Sequence, residues 1–204
     1  MPGRHKRETA RYRYQVAPGR LGKSAIQHAT RFCMALFCQQ KRCNMQVLIM
    51  RHGEAALEAA SDSARPLTQC GRDESHQMAV WLNAKPLEID RVLVSPYLRA
   101  EQTLATLRTA LALPAGEEVL PELTPGGDAA LVTSYLQALA KKGLSTVLVV
   151  SHLPLVGYLV AELCPGECPP MFATSAVAGI TLDADTGRGT FDWQLSPAQV
   201  LARA

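Results

Sequence analysis

The sequence predicts an α/β protein in which a mainly parallel central sheet is flanked by helices. Short runs rich in leucine and β-branched residues alternate with longer segments of helical periodicity, which is the pattern of such folds. Four of the short runs are almost continuously apolar, as is typical of strands buried on both faces. We therefore predict four interior parallel strands, at Gln46–Met50, Arg91–Val94, Thr146–Val150 and Gly179–Leu182.

Two further strands have weaker signals. Val119 and Leu120 form a short apolar run, and the turn-forming segment 183–189 (DADTGRG) predicts a hairpin into a last strand at Thr190–Gln194. Apolar residues at helical spacing predict four helices, at Arg72–Ala84, Pro96–Leu113, Asp128–Lys142 and Pro154–Leu163. Ser95 precedes Pro96 and is a predicted N-cap, and Gly143 follows the third helix as a helix end should.

The composition is that of an ordinary globular protein. The chain has 204 residues, of which 48% are hydrophobic and 19% charged. These values exclude collagen-like, coiled-coil and disordered classes, and the length predicts one domain, or one domain with an appendage. No apolar stretch is long enough to span a bilayer, so we expect no membrane association.

The net charge of +3 conceals two unlike segments. Residues 1–44 carry ten lysines and arginines against one acid, a net charge of +9, whereas residues 45–204 carry eleven against 17, a net charge of −6. We expect 1–44 to be a basic extension outside the folded domain, disordered or not part of a native protein that begins at Met45. A transit peptide or a nucleic-acid-binding arm is a less favoured interpretation, because only Tyr12 and Tyr14 interleave the charges.

The cysteines predict free thiols rather than disulfides or a metal site. No two of the six form a CxxC pair, and Cys164 and Cys168 lack a matching second pair and nearby histidines. Free thiols are typical of a reducing compartment, so we predict a cytoplasmic protein.

Basic residues follow three of the predicted strands at the point where each strand ends. The first strand continues into Arg51-His52-Gly53, the second is followed by Arg99, and the third continues into Ser151 and His152. Ligands of open α/β sheets bind at the carboxyl ends of the strands, next to helix N-termini. If the strands are parallel, two arginines and two histidines therefore meet at one edge of the sheet.

This set of residues predicts a site for a phosphoryl group. Guanidinium groups bind phosphate oxygens in a bidentate manner, and two guanidiniums and two imidazoles in one pocket would repel one another without an anion. No acidic cluster and no GxxxxGK[ST] motif are nearby, so we expect no metal and no cofactor. A neutral histidine can then act as nucleophile. We assign that role to His52, beside Gly53, which lets the phosphate approach closely; Arg51 and Arg99 bind oxygens and His152 donates a hydrogen bond.

Together these motifs resemble the histidine phosphatase superfamily. Its signature is Arg-His-Gly after the first strand, a second arginine downstream and a second histidine after a later strand. Residues 45 to about 197 are similar to the small bacterial SixA-type phosphohistidine phosphatases, in the stretches MQVLIMRHGEAAL, RPLTQCGRDES, RVLVSPYLRAEQT, VLPELTPGGD and SHLPLVGYLVAELCPGE. The resemblance implies a three-layer, phosphoglycerate-mutase-like sandwich and a covalent phosphohistidine intermediate on His52.

The resemblance also implies a substrate, namely phosphohistidine on a phosphotransfer (HPt-type) domain of a two-component phosphorelay. One departure from other superfamily members supports a P–N bond over an ester: Leu153 follows His152 where phosphomonoesterases commonly carry an acid. Glu122 and Glu54 are left open as proton donors. The alternatives are a broad small-molecule phosphomonoesterase and a phosphate- or phosphohistidine-binding module without turnover; no nucleic-acid partner is expected.

Overall fold

The computed structural model describes residues 44–202. Apart from Asn44, the predicted basic extension lies outside the described residues. Six strands are present in this part of the chain, β1 (Asn44–Arg51), β2 (Arg91–Val94), β3 (Glu118–Val119), β4 (Thr146–Ser151), β5 (Val177–Asp183) and β6 (Gly189–Leu195). Five α-helices accompany them, α1 (Gln69–Asn83), α2 (Leu98–Leu107), α3 (Ala129–Lys141), α4 (Leu155–Leu163) and α5 (Pro197–Leu201), together with two short 3-10 helices at Asp62–Ala64 and Pro121–Leu123.

The strands form one sheet in the order β3-β2-β4-β1-β5-β6. The pairs β1/β4, β2/β4 and β2/β3 are parallel, whereas β1/β5 and β5/β6 are antiparallel. The mainly parallel sheet is therefore confirmed, but the prediction that Gly179–Leu182 is a parallel strand is wrong. The apolar residues of β5 indicate only that the strand is buried, as it is between β1 and β6. Burial carries no information about strand direction.

Helices cover the sheet on both faces and make three layers. Alternate side chains of β1 and β4 point to opposite sides, so Val47 and Ile49 pack in one cluster with α3 and α4, while Leu48 and Met50 pack in the other with α1 and α2. The predicted hairpin between the last two strands is present, and Gly187 in its turn has φ +68°. Gly143, with φ +85°, ends α3 as predicted.

The second predicted helix is shorter than its sequence pattern. It begins at Leu98 with Tyr97 as N-cap, so Ser95 is not its N-cap. The hydroxyl of Ser95 instead accepts from the N–H of Tyr97 over 3.4 Å and hydrogen-bonds the ring of His152. It ends at Leu107, although Leu111 in the following turn is still buried in the core. The apolar pattern of the sequence continues past the end of α2 because Leu111 in the turn packs in the same core cluster as Leu104 and Leu107 of the helix. The short C-terminal helix α5 had no prediction; Ser196 and Gln199 form its capping box.

A glycine-to-alanine change should show how tightly β5 and β6 pack. A Cβ atom at Gly179 would lie 2.4 Å from the indole of Trp193. We expect Gly179→Ala to lower the free energy of unfolding by about 1–3 kcal/mol, the usual cost of overpacking. Gly126→Ala is the control, since a Cβ there meets nothing within 4 Å. Urea unfolding measures both, and equal stabilities of the two variants would contradict the packing.

Candidate active site

The two histidines lie side by side because their strands are neighbours in the sheet. β1 and β4 pair in parallel with Arg51 opposite Ser151, so the residues that follow each strand emerge at the same edge. The backbone N–H of His52 donates to the carbonyl of Ser151 over 2.9 Å. The rings of His52 and His152 are 4.9 Å apart between centroids. The predicted convergence of the two histidines is therefore present in the fold.

The ring of His52 has one nitrogen held by the backbone and one directed at an arginine. Nδ1 lies 2.6 Å from the carbonyl oxygen of Gly53, which can only accept, so Nδ1 carries the proton. Nε2 is then the acceptor from Nε of Arg99, at 3.2 Å. Burial lowers the pKa of His52 to about 4, helped by the charges of Arg99 and Arg51. His52 is thus a neutral imidazole with its free electron pair on Nε2.

The second histidine is held by the hydroxyl of Ser95. Its Nε2 is 2.7 Å from Ser95 Oγ, and the ring of Tyr97 packs edge-on against it at 5.0 Å between centroids. Nδ1 of His152 is buried without a hydrogen-bond partner among residues 44–202. Burial, and then the neighbouring His52, lower its pKa to about 3. A buried nitrogen without a partner is costly, so this geometry fits a group that binds a ligand.

The two predicted arginines are held in different ways. Arg51 donates through Nη1 to the carbonyl of Phe172 over 2.7 Å, and its Nε is buried without a partner in the described part of the chain. Burial and the charge of Arg99 lower the pKa of Arg51. Arg99, on the first turn of α2, is buried, and its guanidinium contacts the backbone carbonyl and the carboxylate of Asp62. Both arginines face the same cavity.

The cavity has a volume of about 370 Å³. Its lining contains the four predicted side chains together with Asp62 and Arg65, which were not predicted from the sequence. The full lining is Arg51, His52, Glu54, Ala55, Asp62, Arg65, Arg99, Pro125, His152, Leu153 and Thr174. Ser95 and Thr103 were also missed; they hold the ring of His152 and the backbone N–H of Gly53. Asp62 and Arg65 lie in the stretch SDSARP, eight residues after the Arg-His-Gly motif, where no sequence pattern indicated that the chain returns to the pocket.

Gly53 is not among the residues that line the cavity. Its N–H donates to Oγ1 of Thr103 over 3.0 Å, and a Cβ at Gly53 would lie 2.5 Å from the carbonyl oxygen of Gly71. The close approach that requires glycine is thus made by the backbone of α1. The expected contact between Gly53 and the phosphate has no support in this placement, because the amide is already used.

The two carboxylates that were left open occupy different places. Glu54 lines the cavity, but its Oε1 accepts a hydrogen bond of 2.7 Å from the hydroxyl of Thr68. Glu122 lines a separate cavity with Leu120 and Tyr135. Of the two, only Glu54 is thus placed to reach a bound phosphoryl group.

Residues 44–202 contain no cluster of three or more histidine, cysteine or acidic side chains that could hold a metal ion. The three cysteines in this range, Cys70, Cys164 and Cys168, are free. The other three lie outside the described residues. Within the described range, no helix is long and apolar enough to cross a bilayer.

The charges and hydrogen-bond donors of this cavity define a class of protein. Three guanidinium groups line the cavity together with a neutral histidine whose Nε2 electron pair faces Arg99, at the carboxyl ends of parallel strands. Such a site stabilises a tetrahedral dianion and offers a nucleophile beside it. By fold and site, the protein is an α/β phosphoryl-binding protein with a histidine at the centre of its pocket.

Comparison with known proteins identifies the family. Residues 47–124 match the model of the histidine phosphatase superfamily, branch 1. The chain is 66% identical over 156 residues to the phosphohistidine phosphatase SixA of Escherichia coli strain K12, covering 76% of this chain and 96% of that protein. It is 40% identical to the SixA homolog of Haemophilus influenzae, over 69% of this chain and 90% of the relative. The chain belongs to the histidine phosphatase superfamily.

Solved structures agree with this assignment. The structure of the protein histidine phosphatase SixA complexed with tungstate matches with a TM-score of 0.74 and 67% identity, covering 76% of this chain and 98% of that one. A phosphoglycerate mutase from Bacillus anthracis matches with a TM-score of 0.60 at 16% identity, covering 78% and 96% of the two chains. The predicted phosphoglycerate-mutase-like fold is confirmed.

The neutral state of His52 can be measured directly. We expect NMR titration of its ring to give a midpoint near pH 4, below the ordinary value of 6.5. The unfolded chain takes up this proton at the ordinary value, so the free energy of unfolding falls as the pH is lowered from 6.5 towards 4. Arg99→Gln should raise the midpoint, because the charge of Arg99 contributes to lowering it. A midpoint at 6.5 in the unchanged protein would contradict the described site.

Proposed function

We propose that this protein is a phosphohistidine phosphatase that transfers the phosphoryl group to His52 and then hydrolyses it. The observation that carries the proposal is the free electron pair on Nε2 of His52, which faces Arg99 at 3.2 Å inside a pocket of arginines. The similarity to SixA supports the substrate class.

In the first step, the phosphorus of the substrate is attacked by Nε2 of His52. The P–N bond of the substrate breaks as the bond to Nε2 forms. Nδ1 of His52 keeps its proton, because the carbonyl of Gly53 accepts a hydrogen bond from Nδ1–H. Arg51 and Arg99 bind the equatorial oxygens, and His152 donates a hydrogen bond to the transferring group. Fixed donors aimed at developing charge need no rearrangement in the transition state, which is a major source of catalysis.

In the second step, water attacks the phosphorus of the His52 intermediate. The bond to Nε2 breaks and returns the electron pair to the ring, which leaves as a neutral imidazole because Nδ1 still holds its proton. Inorganic phosphate is the product, and the water protons remain on it or pass to solvent. Neither step needs a metal ion to balance charge, since the arginines supply the positive charge; we propose a metal-independent enzyme.

The leaving group explains why an acid beside His152 is dispensable. An alkoxide leaving from an ester needs a proton in the transition state, and general acid catalysis is worth roughly 10²–10⁴ in rate. A histidine ring protonated on its second nitrogen leaves as neutral imidazole without that help. Leu153, which lines the cavity, stands at the position where such an acid would act. We therefore propose a preference for phosphohistidine over phosphate esters.

We propose that the phosphohistidine is presented by a phosphotransfer (HPt-type) domain, so that the enzyme removes phosphate from a two-component phosphorelay in the cytoplasm. Residues 45–204 would form the catalytic domain, and residues 1–44 would lie outside it. Support comes from the extent of the similarity to E. coli SixA, which covers 76% of this chain and 96% of that protein. The cavity opens at a sheet edge, where a histidine on another protein surface has access.

Phosphoryl trapping tests the nucleophile. Incubation with a phosphohistidine protein labelled in its phosphoryl group, followed by rapid alkaline quenching, should leave label on the enzyme as acid-labile phosphohistidine. His52→Ala should lose the label and at least 10³-fold of turnover, the order of loss expected for a catalytic nucleophile. His76→Ala is the matched control, since His76 lies on α1 outside the cavity, 3.0 Å from the hydroxyl of Thr109. Label that persists in His52→Ala would contradict the mechanism.

A substrate panel tests the preference for the P–N bond. We expect kcat/KM for a phosphorylated HPt domain to exceed that for aryl and sugar phosphates by at least about 10², because no acid follows His152 to protonate the leaving oxygen of an ester. Initial rates of phosphate release measure all substrates under the same conditions. Equal or faster turnover of the esters would instead identify a broad phosphomonoesterase. Trapped phosphate without release would identify a binding module.

A further inference from the structure

The pocket contains an anion of its own, the carboxylate of Asp62. Oδ2 of Asp62 lies 3.1 Å from Nη2 of Arg99, and Oδ1 lies 3.2 Å from Nη1 of Arg65. The backbone carbonyl of Asp62 accepts a further hydrogen bond from Nη1 of Arg99. Partial burial raises the pKa of Asp62, but the hydrogen bonds and charges of Arg99 and Arg65 together lower it below its ordinary value, so the carboxylate is ionised.

The loop that carries Asp62 is fixed at its base. A backbone bridge joins Ala55 to Leu67, the N–H of Ala56 donates to the carbonyl of Pro66 over 2.8 Å, and Nε of Arg65 donates to the carbonyl of Ala56 over 2.6 Å. The loop therefore presents Asp62 to the pocket from a defined position. Arg99 has 4% of its side chain exposed, whereas Asp62 has 55%, so the carboxylate lies at the mouth of the cavity and the guanidinium lies at its base.

The carboxylate and a bound phosphoryl group use the same partners. Once Nε2 of His52 carries a phosphoryl group, it can no longer accept the hydrogen bond from Nε of Arg99, and that N–H is available to a phosphoryl oxygen. The phosphoryl oxygens are also attracted by the guanidinium groups of Arg99 and Arg65, which are paired with Asp62. The charge of Asp62 reaches the centre of the site, because it opposes the lowering of the pKa of His152 that burial causes. Two anions that share the same cations weaken each other's binding.

We propose that Asp62 is a built-in competitor of phosphate that lowers the affinity of the pocket for free inorganic phosphate. A phosphoryl group delivered on a protein brings additional contact energy from the rest of that protein and can displace the carboxylate. Free phosphate has no such contacts, so the carboxylate discriminates against the product and speeds its departure. The role in product release rests on the phosphatase function proposed above, whereas the competition for Arg99 and Arg65 does not.

Calorimetric titration of the full chain with inorganic phosphate tests the competition. Asp62→Asn keeps an oxygen that accepts from Arg99 but removes the charge, and we expect it to bind phosphate about tenfold more tightly, as for the loss of one repulsive contact at short range. Glu117→Gln is the matched control, because it removes a carboxylate paired with Arg108 at 2.7 Å and outside the pocket. Its affinity for phosphate should stay within about twofold of the unchanged protein.

Unchanged or weaker phosphate binding by Asp62→Asn overturns the proposal, as does an equal gain in Glu117→Gln. If Asp62→Asn is too unstable for calorimetry, its Tm with and without phosphate answers the same question. A larger rise in Tm than in the unchanged protein supports the proposal, and an equal or smaller rise overturns it. Inhibition of turnover by added phosphate then tests the role in product release. The binding measurements are independent of turnover, so their failure is distinguishable from a failure of the phosphatase function.

Discussion

The parallel pairing of β1 with β4 is the interaction on which the rest of the structure depends. Both strands are buried in the centre of the sheet, and the register that places Arg51 opposite Ser151 also places His52 beside His152. A shift of one residue would turn the apolar side chains of either strand to the opposite face and separate the two rings. The energy that packs the core and the geometry that builds the site therefore have the same origin.

The pocket collects positive charge in a place where burial makes charge expensive. The structure meets this cost in two ways: both imidazoles are kept neutral, and Arg99 is paired with the carboxylate of Asp62. A buried guanidinium without a counter-ion would destabilise the fold by several kcal/mol. The same arrangement serves the proposed chemistry. A neutral His52 retains the electron pair on Nε2, and the arginines that line the cavity can bind the oxygens of a phosphoryl group.

Much of the fold and the centre of the site could be predicted from the sequence, because each rests on a local signal. Apolar runs marked the buried strands, and the basic residues after three of them marked the pocket. The direction of β5 had no such signal, since burial on two faces looks the same in either orientation. Asp62 and Arg65 were missed because their loop returns to the pocket through backbone bonds from Ala56 and a bridge at Ala55, which residue types do not encode. Ser95 was predicted to be an N-cap because a serine hydroxyl can either cap a helix or bond another side chain, and here it bonds the ring of His152.

The contact between Gly53 and Gly71 has a consequence for which substitutions this protein can accept. Gly53 touches the first turn of α1 backbone to backbone, and a Cβ on Gly71 would lie 2.2 Å from the carbonyl oxygen of Glu54. No side chain separates the two segments there, so no substitution can adjust their spacing gradually. Side chains at the rim of the pocket can be exchanged, whereas Gly53 and Gly71 cannot be replaced without moving the backbone. A change of specificity in this protein is therefore expected to need substitutions around the mouth of the cavity and none at Gly53 or Gly71.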